Sequence, residues 1–223
     1  MKWVCMLLLL SVMVAADFTS SDILLINSEN WQDVYSGIMA ARLSGKEVFF
    51  VRGPDSVNSL LDRLPEKEIL LLQSDEPVYP GLESLIRASG FTYDTFLEDD
   101  MNVNLFEELE TQDAIVIDGA YGYDAMSVAP YALQNDAYVV FEDEVPPDAN
   151  IIMTYGFVDD IGAPVRIDNG NRFDNNMEIV DRFIEHKPTK SVKISNGEFI
   201  EKSLFNKEFP LLFIGKTIVP SAV

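Results

Sequence analysis

The chain has 223 residues, 48% hydrophobic and 11% aromatic, which suffices for a buried core and excludes a wholly disordered polymer. Acidic residues number 37 against 16 basic ones, a net charge of −21 that repels nucleic acid and anionic membranes. One cysteine, Cys5, and one histidine, His186, exclude a disulfide scaffold, a thiolate or multi-histidine zinc site and most Ser-His-Asp chemistry.

Residues 1–16 read as an export signal: Lys2, an apolar run from Val4 to Val14, and Val14-Ala15-Ala16 before the cut. The run is too short to span a bilayer. Cleavage after Ala16 leaves 207 residues with no cysteine and a net charge of −22. No N-x-[ST] site follows, so N-glycosylation is not expected.

From there strands and helices alternate. Ile23 to Ile26 is a continuous apolar run, as in a strand buried on both faces of a parallel sheet. A helix follows with Val34, Ile38 and Ala41 on one face, then a strand at Val48 to Val51. Glu68 to Leu72 reads as a strand, Gly81 to Ala88 and Asn102 to Leu109 as helices. Ile115 to Ile117 is again an apolar strand, and its helix carries Ala125, Val128, Ala129 and Ala132 on one face. Strands at Val139 to Phe141 and Ile151 to Thr154 precede a helix from Asn176 to Ile184, where His186 suits the helix end. The last stretch predicts a strand at 191–195, a brief helix from Glu198 to Asn206 and a strand at Leu211 to Ile214. Phe209 to Val223 is apolar but broken by Lys216 and Pro220, so it reads as strand and turn, and no transmembrane segment is expected.

The pattern repeats. Residues 22–50 align without a gap on 113–141, with seven of 29 positions identical, among them Asp33/Asp124, Val48/Val139 and Phe50/Phe141. Residues 189–197 mirror 111–119, so a third, shorter copy follows, either a cap or part of a longer protein. The expected architecture is α/β. Tandem repeated units, each a small mostly parallel sheet flanked by helices, are set in a pseudo-threefold arrangement. After the signal at 1–16, unit 1 spans 17–107, unit 2 108–185 and a partial unit 3 186–223.

Gly122-Tyr123-Asp124-Ala125-Met126 and Trp31-Gln32-Asp33-Val34-Tyr35 stand where one known repeat has Pro-Asp-Ala-Leu. Phe209-Pro210-Leu211-Leu212 is similar to its Ala-Pro-Leu-Leu end, and Arg166-Ile167-Asp168-Asn169-Gly170-Asn171-Arg172-Phe173 to its arginine signature. On these residues the chain resembles the type 2 cell-wall-binding repeat of surface proteins, putative in the sense of cell-wall-binding or surface-layer (S-layer) association. The resemblance implies an exported, non-catalytic module of the cell envelope. Its partners would be a cell-wall polymer or a surface-layer protein, with self-association also open. Unit 1 lacks the arginine signature and has Tyr93-Asp94-Thr95-Phe96 there.

Ligands of open α/β sheets bind beyond the carboxyl ends of strands. That places Asn27, Ser28, Asp118, Gly119, Asn196 and Gly197 as candidate binding residues, although turn chemistry accounts for the same residue types. Asp33 and Asp124 fall in the first helical turns, where a carboxylate also suits the helix dipole. Arg166 and Arg172 are the candidate fork for an anion, or else partners of Asp168 and Asp174. Asp99-Asp100, Glu142-Asp143-Glu144 and Asp159-Asp160 could hold calcium. The Asp100 segment has Leu105 and Thr111 where an EF-hand needs Gly and Glu, so that loop is excluded. Beyond calcium no cofactor is expected. No G-x-S-x-G, P-loop or G-x-G-x-x-G occurs, so a secreted hydrolase working through paired carboxylates on an envelope glycan is the alternative to a non-catalytic module.

Overall fold

The computed structural model describes Phe18 and residues 20–65, 67–96 and 100–222. The expected signal at 1–16 and Asp99 lie outside the described residues. The first unit runs β1 (Ile23–Asn27), α1 (Trp31–Ser44), β2 (Glu47–Phe50), α2 (Pro54–Leu61), β3 (Glu68–Gln73), α3 (Leu82–Ala88), β4 (Thr92–Phe96) and α4 (Met101–Glu107). The second runs β5 (Asp113–Ile117), α5 (Gly122–Gln134), β6 (Tyr138–Phe141), a 3-10 turn at Glu142–Glu144, β7 (Asn150–Tyr155), β8 (Arg166–Ile167) and α6 (Arg172–His186). The third has β9 (Lys193–Ser195) and β10 (Leu211–Phe213).

All three sheets are parallel, and the two larger ones share one order, β2-β1-β3-β4 and β6-β5-β7-β8. The register repeats as well. Leu24 pairs with Val48 and Ile26 with Phe50, while Ile115 pairs with Val139 and Ile117 with Phe141. β9 and β10 continue the scheme, with Lys193 opposite Leu211 and Ser195 opposite Phe213. The fold is thus the α/β repeat that the alternating apolar runs imply.

Asn30 starts α1 by accepting from the Gln32 amide, and Gly45 ends it in the left-handed region at φ +74°. Gly37 lets α1 press on the sheet, because a Cβ there would lie 2.7 Å from Ile26 Cδ1. One apolar cluster packs Ile23, Leu25, Ile69 and Leu71 of the first sheet under α2 and α3. A larger one joins the opposite face of that sheet to α1, α4, α5, both faces of the second sheet and the third unit.

Two buried asparagines connect one unit to the next. Asn102 on α4 donates from Nδ2 to Val139 O at 3.0 Å, and its Oδ1 accepts from Phe141 N at 3.3 Å. Asn176 on α6 donates to Leu211 O at 2.9 Å and accepts from Phe213 N at 2.7 Å. In each case the side-chain amide imitates a neighbouring strand along a sheet edge, so the edge is sealed by the helix of the preceding unit.

The brief helix expected at Glu198 to Asn206 does not form. The segment is a set of turns. Its backbone pairs elsewhere: Ile200 N donates to Ser221 O, Ser221 N to Glu198 O, and Glu198 N to Asn196 Oδ1. Nine residues propagate too few helical bonds to outcompete these contacts.

Candidate functional site

At the tip of the first sheet, Asn27, Ser28 and Asp33 converge and hold one another. Asn27 is fully buried; it donates to Gln73 Oε1 at 2.9 Å and Tyr79 O at 3.0 Å and accepts from Tyr79 N. Ser74 Oγ donates to Ser28 Oγ, which donates to Asp33 Oδ2, both at 2.8 Å. Burial raises the Asp33 carboxyl above the usual range, the Ser28 and Ser74 hydroxyls oppose the rise, and Glu76 and Asp75 add to it. This chain of bonds pins the loops at 28–30 and 73–79 above α1.

At the second tip, Asp118 Oδ1 accepts from Ala120 N at 2.8 Å, an Asx turn. Gly119 O accepts from Gln32 Nε2 of the first unit at 3.0 Å, so this residue belongs to the contact between units. Asp124 is 1% exposed in the first turn of α5, and neither carboxylate oxygen has a hydrogen-bond partner among the described residues. Burial pushes its pKa up to about 8; Asp118 and Asp168 add to the rise, and Arg172 opposes it.

Arg166 and Arg172, expected as one fork, have separate duties. Arg166 pairs with Asp168 at 3.3 Å on the surface. Arg172, the first residue of α6, donates from Nη2 to Gly215 O at 3.0 Å and from Nη1 to Thr217 O at 3.2 Å. Its guanidinium lies over Tyr123, Phe173 and Phe213, 4.8, 4.9 and 5.5 Å from the ring centroids. The segment it grips lies over the start of α5, where Pro220 Cδ occupies the space a Cβ on Gly122 would need. At the third tip Asn196 Oδ1 caps Glu198 N, and Gly197 sits under the Phe213 ring.

The candidate residues therefore form three separate tips, each engaged with its own chain. His186 ends α6, with Nδ1 2.9 Å from Arg182 O and its ring against Tyr131. Among the described residues no group of three acidic or histidine side chains is placed to hold a metal ion, and no helix is long and apolar enough to cross a membrane.

The largest groove, about 760 Å³, lies elsewhere. It runs between β2 with the start of α2 and residues 199–203, and Phe50, Arg52, Arg63, Phe199 and Lys202 line it. Sequence reasoning did not bring these residues together, because they belong to the first and third copies. Asn102 and Asn176 were visible only as the first residues of two helices that each lead into a new copy.

The fold is similar to that of Cwp8, a cell wall protein from Clostridium difficile, with a TM-score of 0.67 at 13% sequence identity. The match covers 87% of this chain and 40% of that one, so the chain spans less than half the length of this neighbour. No protein-family model and no curated protein matches the sequence.

Proposed function

We propose that the protein is an exported, non-catalytic module of the cell surface that binds the cell wall or assembles with surface-layer components through its tandem α/β units. The observation that carries this reading is the fold shared with a cell wall protein over 87% of the chain. The arginine signature at 166–173 and the export-signal pattern at 1–16 agree with it. The engagement of every strand-tip candidate by its own chain fits a scaffold better than a hydrolase, whose paired carboxylates must reach substrate.

The charge sets the mode of contact. A surface with 37 acidic residues is repelled by an anionic polymer, so attachment runs through bridging divalent cations or through protein contacts. Co-sedimentation of the purified protein with cell envelopes tests the reading, with soluble sugar release followed in the same tubes. Pelleting without sugar release is expected. Protein that stays in the supernatant, or release of sugar, overturns it.

A further inference from the structure

β2 is the edge of the first sheet, as β6 and β10 are the edges of theirs. The ungapped repeat makes Val48 and Phe50 the equivalents of Val139 and Phe141, and in the third unit these positions are Leu211 and Phe213. At β6 and β10 a buried asparagine holds the carbonyl and amide of that pair. At β2 the alternation of the ladder, with Glu47 N and Val51 N turned toward β1, points the Phe50 amide outward. Val48 O receives the Lys202 ammonium at 3.3 Å, so a mobile lysine stands where an asparagine amide stands at the other two edges. In front of these groups lies the open groove of about 760 Å³.

We propose that this groove is the docking site for an acidic amphipathic helix of a partner polypeptide, which presents an asparagine to Val48 O and Phe50 N. The two resident helices define the chemistry. Asn102, Leu105, Phe106 and Leu109 on α4 correspond to Asn176, Ile179, Val180 and Phe183 on α6, an asparagine followed by apolar residues at i+3, i+4 and i+7. All of them are buried or packed against the core. A docked helix of this kind would cover Phe50 and the half-exposed Phe199. Charge selects the partner too. The groove carries Arg52, Arg63 and Lys202 in a chain with only 16 basic residues, whereas α6 displays Glu178, Asp181 and Glu185 and α4 ends in Glu107 and Glu108. A second copy of this chain does not supply the helix, because its own α4 and α6 already seal β6 and β10. The inference stands apart from the cell-surface reading, since it follows from the repeat of the edge contact alone.

The probe is a peptide of residues 171–187 fused after residue 223 through a flexible glycine-serine linker, which raises its effective concentration to the millimolar range. Ser221 pairs with Phe199 at the groove wall, so the fusion point lies close by. Hydrogen exchange at the Phe50 amide is the readout, because this group alone reports the proposed bond; the Phe213 amide controls for displacement of the resident α6. The fusion should slow exchange at Phe50 and leave Phe213 unchanged. An otherwise identical fusion with Asn176→Leu in the appended copy would bury two unpaired backbone groups and lose about tenfold or more of that protection. Lys202→Glu in the body of the protein should weaken it as well. Equal protection by the asparagine and leucine peptides, no protection by either, or a concentration-dependent dimer of the unfused protein that itself protects Phe50 would overturn the proposal.

Discussion

Gly156 lies directly over the carboxylate of Asp124. A Cβ at Gly156 would fall 2.4 Å from Asp124 Oδ2, and the glycine has φ +82°, a conformation other residues rarely adopt. The loop after β7 thus closes on a carboxyl group at the start of α5 that has no hydrogen-bond partner among the described residues. The favourable pole of the helix and the nearby Arg172 do not outweigh the loss of water, and the group holds its proton to about pH 8.

Stability should therefore fall as pH rises. The unfolded carboxyl ionises near its model value of 3.8 and the folded one near 8, so between these limits the folded state binds the extra proton. The contribution is complete below about pH 4 and is lost through pH 8, at up to about 1.4 kcal/mol per pH unit. Burial likewise raises the Asp33 carboxyl, which adds a slope of the same sign. Urea denaturation at pH 5, 6.5 and 8 measures the sum, and Asp124→Asn should flatten the part due to Asp124. A variant with the same pH slope as the parent would refute the assignment.

Asn176→Leu should destabilise the protein by about 2–4 kcal/mol. It leaves Leu211 O and Phe213 N without partners in a buried setting, at about 1–3 kcal/mol each. Asn102→Leu should cost a similar amount by exposing the same weakness at Val139 and Phe141. Asn176→Leu should raise hydrogen exchange across β9 and β10 first, while Asn102→Leu should raise it in β6. Equal effects of both variants over the whole chain would mean that the units do not respond separately.

Arg172→Ala should loosen the segment from Gly215 to Pro220 and speed its proteolysis. The side chain joins two carbonyls of that segment to three aromatic rings. Arg172→Lys should not restore resistance, because an ammonium cannot span two carbonyls with a planar fork. Rescue by lysine would reduce the role of Arg172 to its charge.

Envelope association should depend on divalent cations if carboxylate-rich faces meet an anionic polymer. Calcium should strengthen co-sedimentation and a chelator should abolish it. Binding that ignores the chelator but falls steeply with monovalent salt would point to a basic patch instead.

Much of the fold was legible in the chain. The apolar runs at Ile23 to Ile26 and Ile115 to Ile117 marked strands buried on both faces, and the helical spacing of Val34, Ile38 and Ala41 marked the face of α1 that packs. The ungapped match of 22–50 to 113–141 even carried the strand register, since equal loop and helix lengths place equivalent residues opposite one another. The strand β4 and the helix α2 escaped notice, because Thr92–Phe96 alternates too weakly and Pro54–Leu61 spans little more than two turns.

The candidate site was legible in part. Turn chemistry explained Asp118 and Asn196 correctly, since each caps an amide two residues on. Arg172 was expected to face an anion or a neighbouring Asp and instead holds backbone carbonyls more than 40 residues away. Periodicity alone determined the elements, their order and their buried faces, because each depends on the spacing of apolar residues within one segment. Only the tertiary structure decided that Asp124 would be sealed beneath Gly156, that Asn102 and Asn176 would complete the edges of the next sheets, and that the edge at Val48 and Phe50 would face an open groove. Those outcomes depend on which helix meets which edge, and backbone amides and carbonyls at a strand edge are the same whatever side chains the sequence carries.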